Sequence, residues 1–76
     1  MNKTSISSAP EPLYWDDAYA IALLLRRSHP GVEPVVVESG ALRNWVTSLE
    51  GFADDPNGGY AEILEAIQAE WVELEK

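Results

Sequence analysis

Three stretches of the chain repeat apolar residues at the three- and four-residue spacing that is typical of an amphipathic α-helix. The clearest stretch follows Tyr60, where successive apolar positions stand one, three, four and three residues apart. These positions are Ile63, Leu64, Ile67, Trp71 and Leu74. The opposite side of this third predicted helix carries glutamates, and we call Glu62, Glu65 and Glu73 the acidic face.

Two shorter helices and a strand are predicted upstream. The first helix carries Asp16 and Asp17 near its first turn, where negative charge suits the helix dipole, and it ends before Pro30. Three consecutive valines, residues 35–37, predict a short β-strand. The second helix is predicted over residues 40–49. Its predicted N-cap is Ser39, and its predicted C-cap is Gly51.

These elements predict a mainly α fold: a three-helix, winged-helix-like domain with one short strand and no full wing. Residues 1–12, rich in serine and proline, are predicted to be a flexible tail, which leaves residues 13–76 as a single domain. The predicted core joins the three tryptophans to residues of each helix: Trp15, Trp45, Trp71, Ile21, Leu25, Leu42, Val46, Leu49, Phe52, Ile63 and Ile67.

Composition narrows the possible functions. The 76 residues include 13 acids against 5 lysines and arginines, for a formal net charge of −8. This charge disfavours nucleic acid as a partner, because nucleic-acid phosphates are bound by lysine and arginine side chains. It favours a basic protein surface or a hard cation as the partner. No cysteine is present, which excludes a cysteine nucleophile and a thiolate metal site. No apolar run is long enough to span a membrane, so we expect a cytoplasmic protein. We also expect the protein to be a monomer.

Two acidic features are candidates for function. Asp54 and Asp55 could ligate a divalent cation, or Asp55 could simply cap the third helix or a turn just before it while Asp54 is solvated. The acidic face could dock a partner or be an ordinary solvated surface. Its charge is nearly unbalanced, because Lys76 is the only base after Arg43. The single histidine has no nucleophile organised around it, so no enzyme is predicted.

Several segments together resemble the IscX family, small acidic proteins of bacterial iron–sulfur cluster assembly. The resemblance covers residues 13–75, and its segments are residues 15–22, 29–30, 33–34, 42–46, 51–56 and 63–71. The most specific part is the G-F-x-D-D-P turn at residues 51–56, followed by I-L-E-A-I-Q and Trp71.

The resemblance implies a winged-helix-like fold, weak iron(II) binding by exposed acids, and docking on a cysteine desulfurase of the IscS kind as a non-enzymatic adaptor or regulator. Carried over by position, the implied metal ligands are Asp16, Asp17, Asp54, Asp55 and Glu65. We expect the partner to contact Asp54, Asp55 and the acidic face, that is Glu62, Glu65 and Glu73. The alternative function is that of an iron(II) carrier that supplies the assembly machinery.

The sequence departs from the family pattern at three places. Ala53 stands where the family has the first member of an acidic triad. Residues 38–41 replace the family's R-F-T-D before the second helix, and residues 60–62 replace its N-E-K at the start of the third. These changes affect the implied metal site more than the partner surface.

Overall fold

The computed structural model describes residues 12–76, which form three α-helices and one 3₁₀ turn. Helix α1 covers Ala18–Ser28, the 3₁₀ turn covers Pro34–Val36, α2 covers Ser39–Thr47 and α3 covers Ala61–Leu74. Helix α1 packs chiefly against α3, and α2 and the 3₁₀ turn also contact α3. The predicted mainly α, three-helix fold is confirmed, and the described residues contain no hairpin wing. The tail predicted for residues 1–12 lies, apart from Pro12, outside the described part.

The core forms where the apolar sides of the helices meet. Its buried members come from all three helices and from the segment before α1: Leu13, Trp15, Ile21, Ala22, Leu25, Leu42, Val46, Leu64, Ile67 and Trp71. Most of the predicted core residues are among them. Leu49, Phe52 and Ile63 are only partly buried and pack against the edge of this cluster. The predicted core list omitted Leu13, Ala22 and Leu64, although Leu64 belongs to the apolar side predicted for the third helix.

The three tryptophans occupy different environments. Trp71 is completely buried, and Trp15 is 4% exposed. Trp45 is half-buried at the edge of the core, where its ring stacks on His29 with ring centres 4.0 Å apart and an interplanar angle of 15°. Trp45 also meets Trp71 edge-on at 6.3 Å. Trp45 therefore links the core to the end of α1. The prediction placed it within the core, whereas it packs against the core's edge.

Helix α3 has the two sides that its periodicity predicts. Leu64, Ile67 and Trp71 are buried, whereas all three residues of the acidic face are exposed. The helix begins at Ala61, directly after Tyr60, in agreement with the apolar pattern. Because its apolar side packs on α1, only its outer side is available to other molecules.

The strand predicted for residues 35–37 is wrong. Val36 and Val37 donate backbone N–H groups back to Glu33 and Pro34, at 3.2 Å each, which closes a 3₁₀ turn. The amide of Gln68 on α3 donates to the carbonyls of Pro34 (2.6 Å) and Val37 (3.3 Å). A strand needs a neighbouring strand to accept and donate its backbone hydrogen bonds, and residues 12–76 offer none. The backbone polar groups of this segment are paired instead by local hydrogen bonds and by the Gln68 amide.

The start of α1 agrees with prediction, whereas that of α2 differs from it. Asp16 and Asp17 directly precede α1, so both lie near its first turn. The residue before α2 is Glu38, and neither it nor the predicted cap Ser39 caps the helix through its side chain. Both helices thus begin without a side-chain cap.

The segment before α1 is tied to the first half of the α2–α3 connection, which covers residues 48–60. Leu13 forms an isolated parallel bridge with Phe52. The Leu13 N–H donates to the Gly51 carbonyl at 2.8 Å, and the Leu13 carbonyl accepts from Ala53 at 2.9 Å. Gly51 has a φ of 93°, which favours glycine. It lies four positions beyond the last residue of α2, so it shapes this crossing and does not cap the helix directly.

Trp15 follows this bridge and is enclosed by the backbone of residues 55–59. Its indole Nε1–H donates to the Asp55 carbonyl at 2.6 Å. A Cβ atom on Gly59 would lie 2.6 Å from Cη2 of the Trp15 ring, and a Cβ on Gly58 would lie 3.1 Å from its Cδ1. The Gly58-Gly59 pair therefore lets the backbone approach the indole closely, in addition to weakening helix at this point.

Substituting Gly59 tests this close approach. We expect Gly59→Ala to destabilise the fold by about 1–3 kcal/mol, because the added methyl group overlaps the buried indole. Gly40→Ala is the matched control, since a Cβ there meets nothing within 4 Å. It should be neutral or stabilise by about 0.4–1 kcal/mol. Urea unfolding followed by tryptophan fluorescence measures both. Equal stability of the two variants would contradict the close packing of Gly59 on Trp15.

Candidate functional site

Two acidic turns lie side by side at one end of the molecule. The first is residues 14–17, before α1, and the second is residues 54–57, which we call the acidic turn. The Trp15 backbone N–H donates to Asp54 Oδ2 at 2.9 Å, a contact between residues 39 positions apart in sequence. The fold thus brings the Asp16-Asp17 and Asp54-Asp55 pairs into neighbouring segments.

Three of these four carboxylates accept hydrogen bonds from backbone N–H groups. Asp54 Oδ1 accepts from Asp55 at 2.7 Å, in addition to the bond from Trp15. Asp55 Oδ1 accepts from Asn57 at 2.9 Å, and Asp17 Oδ2 accepts from Tyr14 at 3.0 Å. Such bonds are typical of aspartates that close reverse turns. These carboxylates therefore shape the two turns. Asp55 caps a turn before α3, which was one of the two alternatives for this residue.

The pKa of Asp54 reflects this role. The N–H groups of Trp15 and then Asp55 lower the pKa of this carboxyl below its ordinary value, and partial burial opposes them weakly. Both donors favour the charged form, so the ionised carboxylate holds the acidic turn against the segment before α1.

Arg43 clamps the same loop from α2. Its guanidinium donates to the Gly59 carbonyl at 2.6 Å and reaches the Pro56 carbonyl at 3.5 Å. Sequence reasoning gave this residue no role. The available signal was its isolation, because no other lysine or arginine lies between Arg27 and Lys76. Arg43 and Trp15 together fix the loop that carries Asp54 and Asp55.

The geometry does not assemble a resident metal centre. Within residues 12–76, no three histidine or acidic side chains come close enough together to hold an ion. Asp54 has both oxygens engaged by N–H groups, while Asp16 and Glu65 are exposed on separate elements. The donor set therefore does not fit a tightly held cofactor. Weak iron binding at these residues stays a prediction.

The acidic face is exposed and largely unpaired. Glu73 contacts Lys76 at 3.1 Å, and Arg26 contacts Glu75, at the edge of this face, at 3.7 Å. Both pairs are mostly solvent-exposed, and such pairs contribute little to stability. Among the described residues, Glu62 and Glu65 form no ion pair. Two of the three glutamates of the acidic face, Glu62 and Glu65, thus project negative charge into solvent without an ion-pair partner in the described residues.

The fold and site define a small acidic helical domain with an exposed carboxylate surface and no assembled metal centre within residues 12–76. Comparison with known families gives the class a name. Residues 13–76 match the family model described as "Iron-sulphur cluster assembly", the family that the motifs resemble. The chain belongs to this IscX family.

One relative is an uncharacterized protein of Pseudomonas aeruginosa. It is 46% identical over 61 residues, which cover 80% of this chain and 92% of the relative. No helix in residues 12–76 is long and apolar enough to cross a membrane. Family membership places the protein in iron–sulfur cluster assembly.

Asp54→Asn tests the structural role of the carboxylate. Its folded-state pKa lies below the unfolded value, so its stabilisation is full above an ordinary pKa of about 4 and is lost as pH falls through the lowered value. We expect the variant to be less stable than wild type at pH 7, because an amide NH₂ would face one of the two N–H donors. The free energies of unfolding should converge at the acid end of the titration.

Asp16→Asn is the control for this pH dependence. Asp16 is exposed and accepts no hydrogen bond from the described residues. Its variant should follow the wild-type stability profile at every pH, measured by urea unfolding in a series of buffers. A constant difference between Asp54→Asn and wild type across the acid range would show that the charge of Asp54 does not matter to the turn.

Proposed function

We propose that this protein is a non-enzymatic adaptor or regulator of iron–sulfur cluster assembly, acting in the cytoplasm. It docks as a monomer, with its acidic face and acidic turn on a basic surface of a cysteine desulfurase. By occupying that surface, it limits the access of other factors and so tunes sulfur delivery. The family assignment supports the process, and the charge distribution supports the mode of docking.

The observation that supports docking best is the division of α3 into two sides. Leu64, Ile67 and Trp71 are buried against α1, so recognition by this helix must use its outer side. That side presents Glu62 and Glu65 without any base beside them in the described residues. Opposite charge on a partner speeds encounter and sets orientation, even where each exposed pair adds little affinity.

Weak iron(II) binding belongs to the same proposal, and an iron(II) carrier is the alternative function. Asp16 and Asp55 are exposed on adjacent turns, and Asp55 Oδ2 accepts no hydrogen bond from residues 12–76. Iron held by a few exposed oxygens exchanges readily with solvent, which suits transfer more than storage. In this alternative, the metal ion is cargo that passes to the assembly site.

Charge reversal on α3 tests the docking proposal. Glu62→Lys with Glu65→Lys should slow association with the desulfurase about tenfold at low salt, because electrostatic steering is reversed. Raising salt should slow wild-type association and narrow the difference, since exposed charges are screened over about 8 Å at physiological ionic strength. Stopped-flow or surface binding kinetics give the rates, and circular dichroism confirms that α3 remains folded.

Glu50→Lys controls for net charge in this experiment. Glu50 is exposed after the end of α2, outside α3, and its reversal alters net charge as much as Glu65→Lys alone. It should slow association less than Glu65→Lys does. Association that ignores both salt and charge reversal would mean that the acidic face is an ordinary solvated surface.

Iron(II) titration separates the two functions. We expect weak binding that weakens further in Asp54→Asn with Asp55→Asn, observed as loss of paramagnetic broadening around the acidic turn in NMR spectra. Glu50→Gln, which removes one charge elsewhere, should leave the broadening intact. If the carrier function dominates, the double variant should reduce cluster assembly on a scaffold protein without changing desulfurase affinity. Broadening that spares residues 54–57 would place the iron elsewhere.

A further inference from the structure

Two adjacent valines are the most exposed large apolar residues in the described part of the chain. Val35 is 66% exposed and Val36 is 71% exposed. Both lie on the 3₁₀ turn, and together we call them the valine knob. Isolated exposed apolar residues are common on protein surfaces and need no explanation. The valine knob differs because the fold holds it in a fixed position beside the acidic surface.

The 3₁₀ turn that carries the valine knob is held in place by burial and by hydrogen bonds. Pro34 is buried, and the Gln68 amide bridges the carbonyls of Pro34 (2.6 Å) and Val37 (3.3 Å). The local bonds of the 3₁₀ turn add to this restraint. An apolar contact that is already ordered loses less conformational entropy on binding. The valine knob is therefore preorganised for contact with a partner.

The surroundings of the valine knob are mainly acidic. Glu33 and Glu38 flank it in sequence, and both are exposed. Beside it, an open groove of about 210 Å³ is lined by Glu33, Pro34, Val35, Val72, Glu75 and Lys76. Lys76 contacts Glu73, which offsets its charge. An apolar centre inside a charged rim is the usual arrangement of a protein-docking surface.

The valine knob is also continuous with the acidic face. Glu65, Gln68 and Val72 follow one another at three- and four-residue spacing, so they lie along one ridge of α3. Gln68 contacts the 3₁₀ turn and Val72 lines the groove, whereas Glu65 belongs to the acidic face. A partner that contacts Glu65 would therefore also be close to the valine knob.

We propose that the valine knob is the apolar centre of the docking surface, and that it inserts into an apolar depression with a basic rim on the desulfurase. This inference rests on the proposed function and adds the contact that holds the complex together. A second copy of this chain is the poorer occupant. Glu33 and Glu38 would face their own counterparts across a symmetric contact, and like charges repel.

Val35→Thr with Val36→Thr tests the proposal with little effect on the fold. Threonine keeps the β-branched shape, and the exposed positions avoid a packing defect. We expect dissociation from the desulfurase to become about tenfold faster with an almost unchanged association rate, because apolar burial acts mainly on the lifetime of the complex. This effect should persist at high salt, where the charge effects fade. Tyr19→Gln is the control, because Tyr19 is a 56% exposed apolar residue on α1 and its loss should change neither rate.

NMR spectra of the valine methyl groups give an independent readout, since both methyl pairs should shift when the desulfurase is added. Unchanged dissociation and unshifted methyl signals, together with slower association of the Glu62→Lys, Glu65→Lys variant, would overturn this inference and leave the proposed function standing. If neither set of variants alters binding, both proposals fail. A wild-type dimer that the valine substitutions dissociate, seen by sedimentation, would assign the valine knob to self-association and also overturn the inference.

Discussion

The packing of the Trp15 indole against the backbone of Gly58 and Gly59 is the contact on which the position of the two acidic turns depends. The indole is almost completely buried, and its Nε1–H and backbone N–H both donate to the acidic turn. Arg43 holds the far side of the same loop. With no disulfide available in a domain this small, the Trp15 side chain and the Leu13 backbone together join the segment before α1 to the α2–α3 connection.

The acidic residues differ in whether their carboxylates accept hydrogen bonds from backbone N–H groups. Asp17, Asp54 and Asp55 accept backbone N–H bonds and shape the two turns. Glu62 and Glu65 have no such bonds from the described residues and face solvent. A high net charge normally opposes the compact state through self-repulsion. Here the N–H groups that the fold directs at Asp54 favour its charge, which turns part of that charge into a structural contact.

The sequence predicted what depends on local periodicity and missed what depends on distant partners. The two sides of α3 followed from the spacing of its apolar residues, which is set within one helix. The valines were predicted as a strand because propensity cannot show that the described residues offer no partner strand. It also cannot show that the Gln68 amide, 31 and 34 positions away, donates to the carbonyls of Val37 and Pro34. The bond from the Trp15 N–H to Asp54 also joins residues that are distant in sequence, so propensity could not predict it. Asp54 and Asp55 were therefore candidate metal ligands, because the sequence does not show which backbone N–H groups donate to their carboxylates.

The arrangement of α3 would let charge and apolar contact act on different steps of one binding event. The acidic face projects outward from the helix, so it would act at a distance and set the rate of encounter, subject to salt. The valine knob lies beside the same helix and would act only after contact, when water is displaced from it. Gln68 connects the two, since it lies on α3 and holds the 3₁₀ turn in place. Recognition could then be fast and readily reversible, because the first step needs no close fit and the second buries only a small apolar area.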